Sequence, residues 1–181
     1  MLMNREKSAL MVIDVQAKLL PGVHHSEELV KNCRWLIELA QLVGVPVLGS
    51  EQYPQGVGPT ADELKTLLPA EDFIAKTFFS CADSPECSAR LDAMGREEII
   101  ICGMEAHACV MQSALRLREQ GKKVYVVADA ISARNPLDTE YAIARMRDEG
   151  VKIVTREMVG FEWMVRSDVP EFKDFSMKFL R

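Results

Sequence analysis

Short apolar runs alternate with segments of helical periodicity from one end of the chain to the other. The apolar runs predict strands over residues 9–13, 45–48, 73–76, 98–102, 124–128 and 151–154. Apolar positions repeated every three or four residues predict helices over 27–43, 62–68, 85–94, 108–120, 138–149, 157–165 and 171–180, with the last two near the surface. Ser26 and Gly44 are the expected N-cap and C-cap of the first long helix.

This alternation of strand and helix predicts an α/β fold of three layers, α/β/α. A central, mostly parallel sheet of about six strands would carry helices on both faces. The chain contains no linker, repeat or low-complexity segment. We therefore expect residues 1–181 to form a single domain.

Three chemically reactive residues fall at the ends of predicted strands. Asp14 follows the first strand, Lys76 ends the third, and Cys109 lies shortly after the fourth. Ligands of parallel α/β sheets bind outside the carboxyl ends of the strands, so these side chains are expected to converge. Cys109 is also expected in the first turn of a helix, where unpaired N–H groups and the helix dipole lower the pKa of a thiol. The pattern thus predicts a nucleophilic thiolate.

Each of these residues also has an ordinary structural interpretation. An aspartate at a strand end often bonds to nearby backbone, a lone lysine is usually solvated, and a free cysteine is commonly a small core residue. Among the other cysteines, Cys33 and Cys102 are expected in the core. Cys81 and Cys87 flank a loop and are close enough in sequence to pair.

The composition and the net charge limit which partners and which cellular compartment are expected. The 181 residues carry a formal charge of -5, with no basic block, which argues against nucleic acid as a partner. No apolar run is long enough to cross a bilayer, and the first residues are polar and resemble no secretory signal. Five cysteines, an odd number, are most simply free thiols in a reducing cytoplasm.

The segments that carry the three reactive residues resemble the motifs of a known family. Residues 12–16, 75–80 and 102–110 look like the Asp–Lys–Cys triad motifs of the isochorismatase-like cysteine hydrolases, which have a Rossmann-like fold. Residues 50–60 resemble the loop of one branch, the isochorismatase domain-containing proteins. The similarity extends from about residue 9 to about residue 154, in matching order, and it favours catalysis over the three separate structural interpretations.

The resemblance implies a mechanism and a role for each residue. Cys109 would attack a small amide-type C–N bond and form a thioester, Asp14 would carry the proton, and Lys76 would hold both electrostatically. The family also has a cis peptide before the cysteine, which maps here to Met104–Glu105. Together with the N–H of Cys109, it would shape an oxyanion hole.

Further residues near these motifs are candidates for the substrate pocket, namely Gln16, Glu51, Gln52, Tyr53, Phe79 and His107. For the segment 51–53, a subunit contact or simple loop structure is the alternative. His107 is two residues from Cys109, a spacing at which helical side chains do not face each other, so it is expected at the pocket edge rather than as the base.

No metal or cofactor is expected. Nicotinamidase members of the broader family carry an Asp-x-His metal pattern after the second strand, and residues 49–53 lack it. Gly103 is not followed by the further glycines of a phosphate-binding fingerprint.

Two other functions remain open at this point. The chain could be a binding or scaffold protein that keeps the Asp–Lys–Cys arrangement without turnover, or Cys109 could have a redox role. No Cys-x-x-Cys motif supports the redox role. For an enzyme, the expected partner is a small-molecule substrate. The resemblance and an apolar cluster over residues 158–164 indicate a homo-oligomer.

Overall fold

The fold is a six-stranded parallel sheet covered by helices on both faces. The computed structural model describes residues 2–180, and its strands run in the order β3-β2-β1-β4-β5-β6. Every neighbouring pair is parallel. The strands are β1 (Ser8–Ile13), β2 (Val47–Gln52), β3 (Phe73–Lys76), β4 (Glu98–Met104), β5 (Lys123–Ser132) and β6 (Lys152–Val154). The predicted three-layer α/β architecture is confirmed.

Both faces of the sheet are buried because alternate side chains enter two separate hydrophobic clusters. In β1, Leu10 and Val12 belong to one cluster, whereas Met11 and Ile13 belong to the other. The helices are α1 (Ser26–Val43), α2 (Pro54–Val57), α3 (Asp62–Lys65), α4 (Pro85–Ala93), α5 (Met111–Glu119), α6 (Pro136–Asp148), α7 (Arg156–Met164) and α8 (Phe172–Phe179). Helices α1, α7 and α8 cover the first cluster, and α4, α5 and α6 cover the second.

The last two helices lie in the outer layer, as the sequence predicts, but each also buries one side in the core. Trp163 of α7 and Phe175 of α8 are fully buried, and both belong to the first hydrophobic cluster. The indole N–H of Trp163 donates to the hydroxyl of Ser8 at 3.1 Å, so α7 is tied to the first strand. Large aromatic side chains on one side of each helix drive this burial. Within residues 2–180, no helix combines the length and apolar character needed to span a membrane.

Other differences from prediction concern where elements begin and end. The helix α1 already includes Ser26, and its N-cap is His25, which makes no side-chain capping bond. Gly44 caps its C-terminus, as expected, with φ of 75°. Strand β5 extends well beyond the predicted residues 124–128, because a bulge lets it continue past the polar Asp129.

A glycine at the end of β4 brings two central strands unusually close. Gly103 pairs with Ile13 of β1 and has φ of +118°, in the range that favours glycine. A Cβ at this position would lie 2.1 Å from the carbonyl oxygen of Ile13. Because Asp14 follows Ile13 directly, Gly103 controls how near the end of β4 can come to Asp14.

Candidate active site

Asp14 lies just beyond β1, and both of its carboxylate oxygens have a buried partner. Oδ2 accepts from the ammonium group of Lys76 at 2.7 Å. Oδ1 accepts from the hydroxyl of Ser50 at 2.7 Å, and the backbone N–H of Asp14 donates to the carbonyl of Ser50 at 3.1 Å. The carboxylate is therefore fixed in one orientation at the carboxyl end of β1.

Lys76 is the last residue of β3, and its ammonium group is fully buried. It donates to Asp14 Oδ2 at 2.7 Å, to Gln52 Oε1 at 2.7 Å and to the Phe78 carbonyl at 3.2 Å, which accounts for all three of its protons. Burial tends to lower the pKa of Lys76, but the charge of Asp14 acts in the opposite direction, and the net pKa is raised. Lys76 is thus a permanent cation at neutral pH.

Cys109 comes from a different part of the chain and meets this ion pair. It lies in a five-residue π-helix, Ala106–Val110, which follows β4 and leads into α5. Cys109 is 7% exposed, and it lies close enough to both Asp14 and Lys76 for each of them to shift the pKa of its thiol. The structure therefore brings together all three residues that were expected to converge.

The thiol itself differs from the sequence prediction. Its burial, followed by the nearby Asp14 carboxylate, raises the pKa of Cys109 to about 12, whereas Lys76 only partly counteracts this. The prediction of a lowered pKa was wrong because it considered only the helix N-terminus. The resting site is therefore a neutral thiol beside an Asp14–Lys76 ion pair.

The backbone before Cys109 has an irregular hydrogen-bond pattern. The peptide between Met104 and Glu105 is cis. The carbonyl of Glu105 accepts from the N–H groups of Ala108, at 3.0 Å, and Val110, at 3.2 Å. In an ordinary α-helix this carbonyl would accept from residue 109. The Glu105 carbonyl thus accepts from the residues on either side of Cys109 but not from the backbone N–H of Cys109 itself.

Two of the expected pocket residues have structural roles instead. The side-chain amide of Gln16 is buried, donates to the carbonyls of Gln52 and Gly58, and accepts from the N–H of Gln52 at 2.7 Å. Glu51 Oε1 accepts from the N–H of Thr60 at 2.6 Å and from its hydroxyl at 2.8 Å. Both side chains hold the loop after β2 in place, and loop structure was one of the alternatives for Glu51.

The other four expected residues surround the Lys76 end of the site or the π-helix. Gln52 accepts from the ammonium of Lys76, and the N–H of Tyr53 donates to the carbonyl of Lys76 at 2.8 Å. The side chains of Tyr53 and Phe79 are more than half exposed. His107 is half-buried in the π-helix, and its Nδ1 is buried without a hydrogen-bond partner.

Ser50 and Cys81 are site residues that the sequence reasoning missed. The Ser50 hydroxyl, which donates to Asp14, lies 3.5 Å from the sulfur of Cys81. Cys81 also contacts Cys87, and both are free thiols. Burial raises the pKa of Cys81, and the hydrogen bond from Cys81 lowers that of Cys87. Strand order contained a signal for Ser50, because β2 pairs with β1 and places it beside Asp14.

The surroundings of the site are compact. A cavity of about 200 Å³ adjoins Lys76 and is lined in part by Tyr53, Phe78 and Glu86, but not by Asp14 or Cys109. Across residues 2–180, no three His, Cys, Asp or Glu side chains are grouped so as to hold a metal ion.

Known proteins resemble this chain over most of its length. The model of the isochorismatase domain matches residues 8–158. Isochorismatase domain-containing protein 2A of Mus musculus is 34% identical over 93% of this chain and 81% of its own. The MAR1 ribonuclease of Caenorhabditis elegans superposes with a TM-score of 0.92 at 34% identity, covering 100% of this chain and 93% of that one. YcaC of Pseudomonas aeruginosa, solved with hexane-2,5-diol and covalent acrylamide, superposes with a TM-score of 0.90 at 27% identity, covering 97% of this chain and 90% of that one. The chain therefore belongs to the isochorismatase domain family.

Proposed function

We propose that this protein is a hydrolase in which Cys109 attacks the carbonyl of a small amide-type substrate. The observation that carries the proposal is the position of Cys109 beside a buried Asp14–Lys76 ion pair, close enough for both charges to act on its thiol. A buried thiol with a pKa near 12 is a poor nucleophile by itself, so it needs a proton acceptor within reach. Asp14 is that acceptor.

In the first step, the sulfur of Cys109 bonds to the carbonyl carbon while its proton moves to Asp14. The carbonyl π electrons move to oxygen and create a tetrahedral oxyanion. The backbone N–H of Cys109, which the Glu105 carbonyl does not engage, is placed to donate to this oxygen together with the segment from Met104 to Glu105. Lys76 keeps its proton, and its positive charge stabilises the negative charge that develops during this step.

In the second step, the C–N bond breaks as Asp14 returns the proton to the leaving nitrogen. This leaves a thioester on Cys109 and releases an amine or ammonia. Asp14 then removes a proton from water, the resulting hydroxide adds to the thioester, and the C–S bond breaks. The proton on Asp14 returns to sulfur, so the free thiol is restored and a carboxylic acid leaves.

A structural relative supports the reactivity assigned to this site. YcaC of Pseudomonas aeruginosa was solved with covalent acrylamide. Acrylamide is a small uncharged amide, and its double bond reacts with nucleophiles such as thiols. This fold can therefore bring a compact amide into covalent contact with a protein group.

Replacement of Cys109 by alanine tests the proposal directly. The purified protein is first screened against small amides, carbamoyl compounds and esters. We expect Cys109→Ala to reduce turnover by at least about 10³-fold, since no other group can form the thioester. Cys33→Ala, a variant of a fully buried thiol outside the site, is the matched control and should keep its rate. Undiminished turnover in Cys109→Ala would refute the assignment.

A scaffold without turnover is the alternative that the same chain must be tested against. Cys109 is slightly exposed and lies beside the ion pair, whereas Cys33 and Cys102 are fully buried. If the site is reactive, iodoacetamide should modify Cys109 faster than Cys33 or Cys102 at neutral pH, as measured by peptide mass spectrometry. Equally slow modification of all three thiols would favour the scaffold.

RNA hydrolysis is a second candidate because one relative with 34% identity is a MAR1 ribonuclease. The formal charge of -5 does not favour binding to a polyanion. Incubation with a labelled single-stranded RNA, with Cys109→Ala in parallel, compares the two activities. If the protein cleaves the RNA faster than it hydrolyses the small amides, ribonuclease activity would be the better assignment.

A homo-oligomer in the cytoplasm completes the proposal. Met158 and Phe161 on α7 remain nearly half exposed although their neighbour Trp163 is buried, so this helix presents apolar surface after the chain has folded. Light scattering of the purified protein should give a mass at least twice that of the chain. A mass equal to one chain would remove this part of the proposal.

A further inference from the structure

The positive charge nearest to the reactive sulfur already has a negative partner. Lys76 is paired with Asp14 at 2.7 Å, and its two other protons are taken by neutral acceptors. A substrate carboxylate approaching Cys109 would therefore meet an ammonium group with no free proton. It would also meet Asp14, a second carboxylate that repels it.

A second cation at the site is likewise paired. The side chain of Arg134 donates from Nε to Glu105 Oε2 at 3.0 Å, and the backbone N–H of Arg134 donates to the same oxygen at 3.3 Å. Glu105 follows the last residue of β4 and immediately precedes the π-helix that carries Cys109. Arg134 thus has a carboxylate partner within the chain, as Lys76 does.

The rim of the site on the Lys76 side is aromatic. Tyr53 and Phe78, which line the cavity beside Lys76, are exposed by 54% and 50%, and Phe79, the next residue in the chain, is exposed by 57%. Two of them are tied directly to Lys76, since the Phe78 carbonyl accepts from its ammonium group and the Tyr53 N–H donates to its carbonyl. These apolar faces favour contact with an uncharged substituent.

We infer that this site takes small uncharged amides, with an apolar substituent on the aromatic rim, and discriminates against anionic ones. The inference rests on the proposed function and specifies its substrate class. A carboxylate would lose its hydration at a nearly buried sulfur beside an ammonium group that is already paired, whereas a neutral amide would lose far less. An apolar substituent would also gain contact with the rim.

Two alkylating reagents that differ in charge test the inference at Cys109. Iodoacetamide is neutral and iodoacetate is an anion, and both transfer a two-carbon group to a thiolate with loss of iodide. The two rate constants are measured at pH 8.5 by peptide mass spectrometry, and their ratio is divided by the ratio for 2-mercaptoethanol. We expect the normalised preference for iodoacetamide to be about tenfold or more, which corresponds to about 1.4 kcal/mol.

A variant with an added cation sharpens the test. Phe79→Lys places an unpaired ammonium group on the rim, and we expect the normalised preference for iodoacetamide to fall by about fivefold through attraction of the anion. Met177→Lys is the matched control, because Met177 is 51% exposed on α8, away from the site. The control should retain the wild-type preference.

The possible outcomes separate this inference from the proposed function. If Cys109 reacts with both reagents in the same ratio as 2-mercaptoethanol, or prefers iodoacetate, the inference is wrong while Cys109 remains a candidate nucleophile. An unchanged preference in Phe79→Lys would also count against it. If neither reagent modifies Cys109 in the folded protein although both modify the unfolded chain, the proposed nucleophile itself fails.

Discussion

Cys109 and Cys102 lie seven positions apart and are both buried, but only one of them has neighbours that can support a reaction. In β4, Cys102 lies beside Cys33, and this neighbour together with burial raises the pKa of Cys102 well above its ordinary value. The pKa of Cys109 is also raised, by burial and by the Asp14 carboxylate. Neither residue is therefore a thiolate at neutral pH.

The difference between these two thiols lies in where a proton can go. Cys102 faces a second thiol, which is a poor proton acceptor, whereas Cys109 faces a carboxylate held in place by Ser50 and Lys76. Under the proposed function, Cys109 therefore does not need a low pKa at rest. It needs an acceptor that is aligned before the substrate arrives.

The largest expected effect comes from removing the cation of the ion pair. Lys76→Met leaves Asp14 as an uncompensated buried charge, so we expect a loss of about 3–5 kcal/mol in unfolding free energy and of detectable amide turnover. Urea denaturation and a turnover assay measure the two effects. The double variant Asp14→Asn/Lys76→Met should regain most of the stability but no activity. A loss below about 1 kcal/mol in the single variant would show that the pair is not buried in solution.

The pH dependence of Cys109 alkylation should be nearly as large. Because the pKa of Cys109 is raised to about 12, the thiolate fraction should rise about tenfold per pH unit throughout the range from pH 7 to 10. Iodoacetamide kinetics over this range should therefore increase by about 10³-fold, whereas thiols of the unfolded chain level off above their ordinary pKa of about 8.5. A plateau for Cys109 near pH 8 or 9 would contradict the raised pKa.

Asp14→Asn should move two activities of Cys109 in opposite directions. The Asp14 charge raises the pKa of the thiol and Lys76 lowers it, so neutralising Asp14 should increase alkylation at pH 7.5, by about tenfold for each unit that the pKa falls. Amide turnover should be lost, because asparagine cannot carry the proton. Slower alkylation in this variant would mean that Asp14 does not act on the thiol through its charge.

The smallest effect is expected for Cys102, the cysteine that lies in the core. Cys102→Ala removes a buried sulfur and should lower the unfolding free energy by about 1–2 kcal/mol, as measured by urea denaturation. Amide turnover and the alkylation rate of Cys109 should match those of the wild type. A marked change in either would show that the two thiol environments are coupled through β4.

The sequence was sufficient for the sheet because its central strands β1 and β4 are buried on both faces and form continuous apolar runs. The edge strand β3 is only partly buried and was still predicted at its observed bounds of Phe73–Lys76. The meeting of Asp14, Lys76 and Cys109 was predictable for a related reason, since the carboxyl ends of parallel strands share one edge of the sheet. The resemblance to a known family added their roles, which remain proposals.

Other features depended on distances that no sequence pattern contains. Gln16 and Glu51 are polar residues next to the motifs, but their partners are backbone groups of a loop that folds back onto them. The pKa of Cys109 depends on its separation from Asp14, which is 95 positions away in the chain. A local rule, such as the effect of a helix N-terminus on the pKa of a thiol, fails when a charge that is distant in the sequence lies close to the thiol in space.

The close approach of β1 and β4 at Gly103 limits how this scaffold can be redesigned. Any side chain at that position would meet the Ile13 carbonyl and push apart the two strands that deliver the acid and the sulfur. In a saturation library, position 103 should tolerate only the parental residue. The aromatic rim, whose three side chains are at least half exposed, leaves more freedom for substitution.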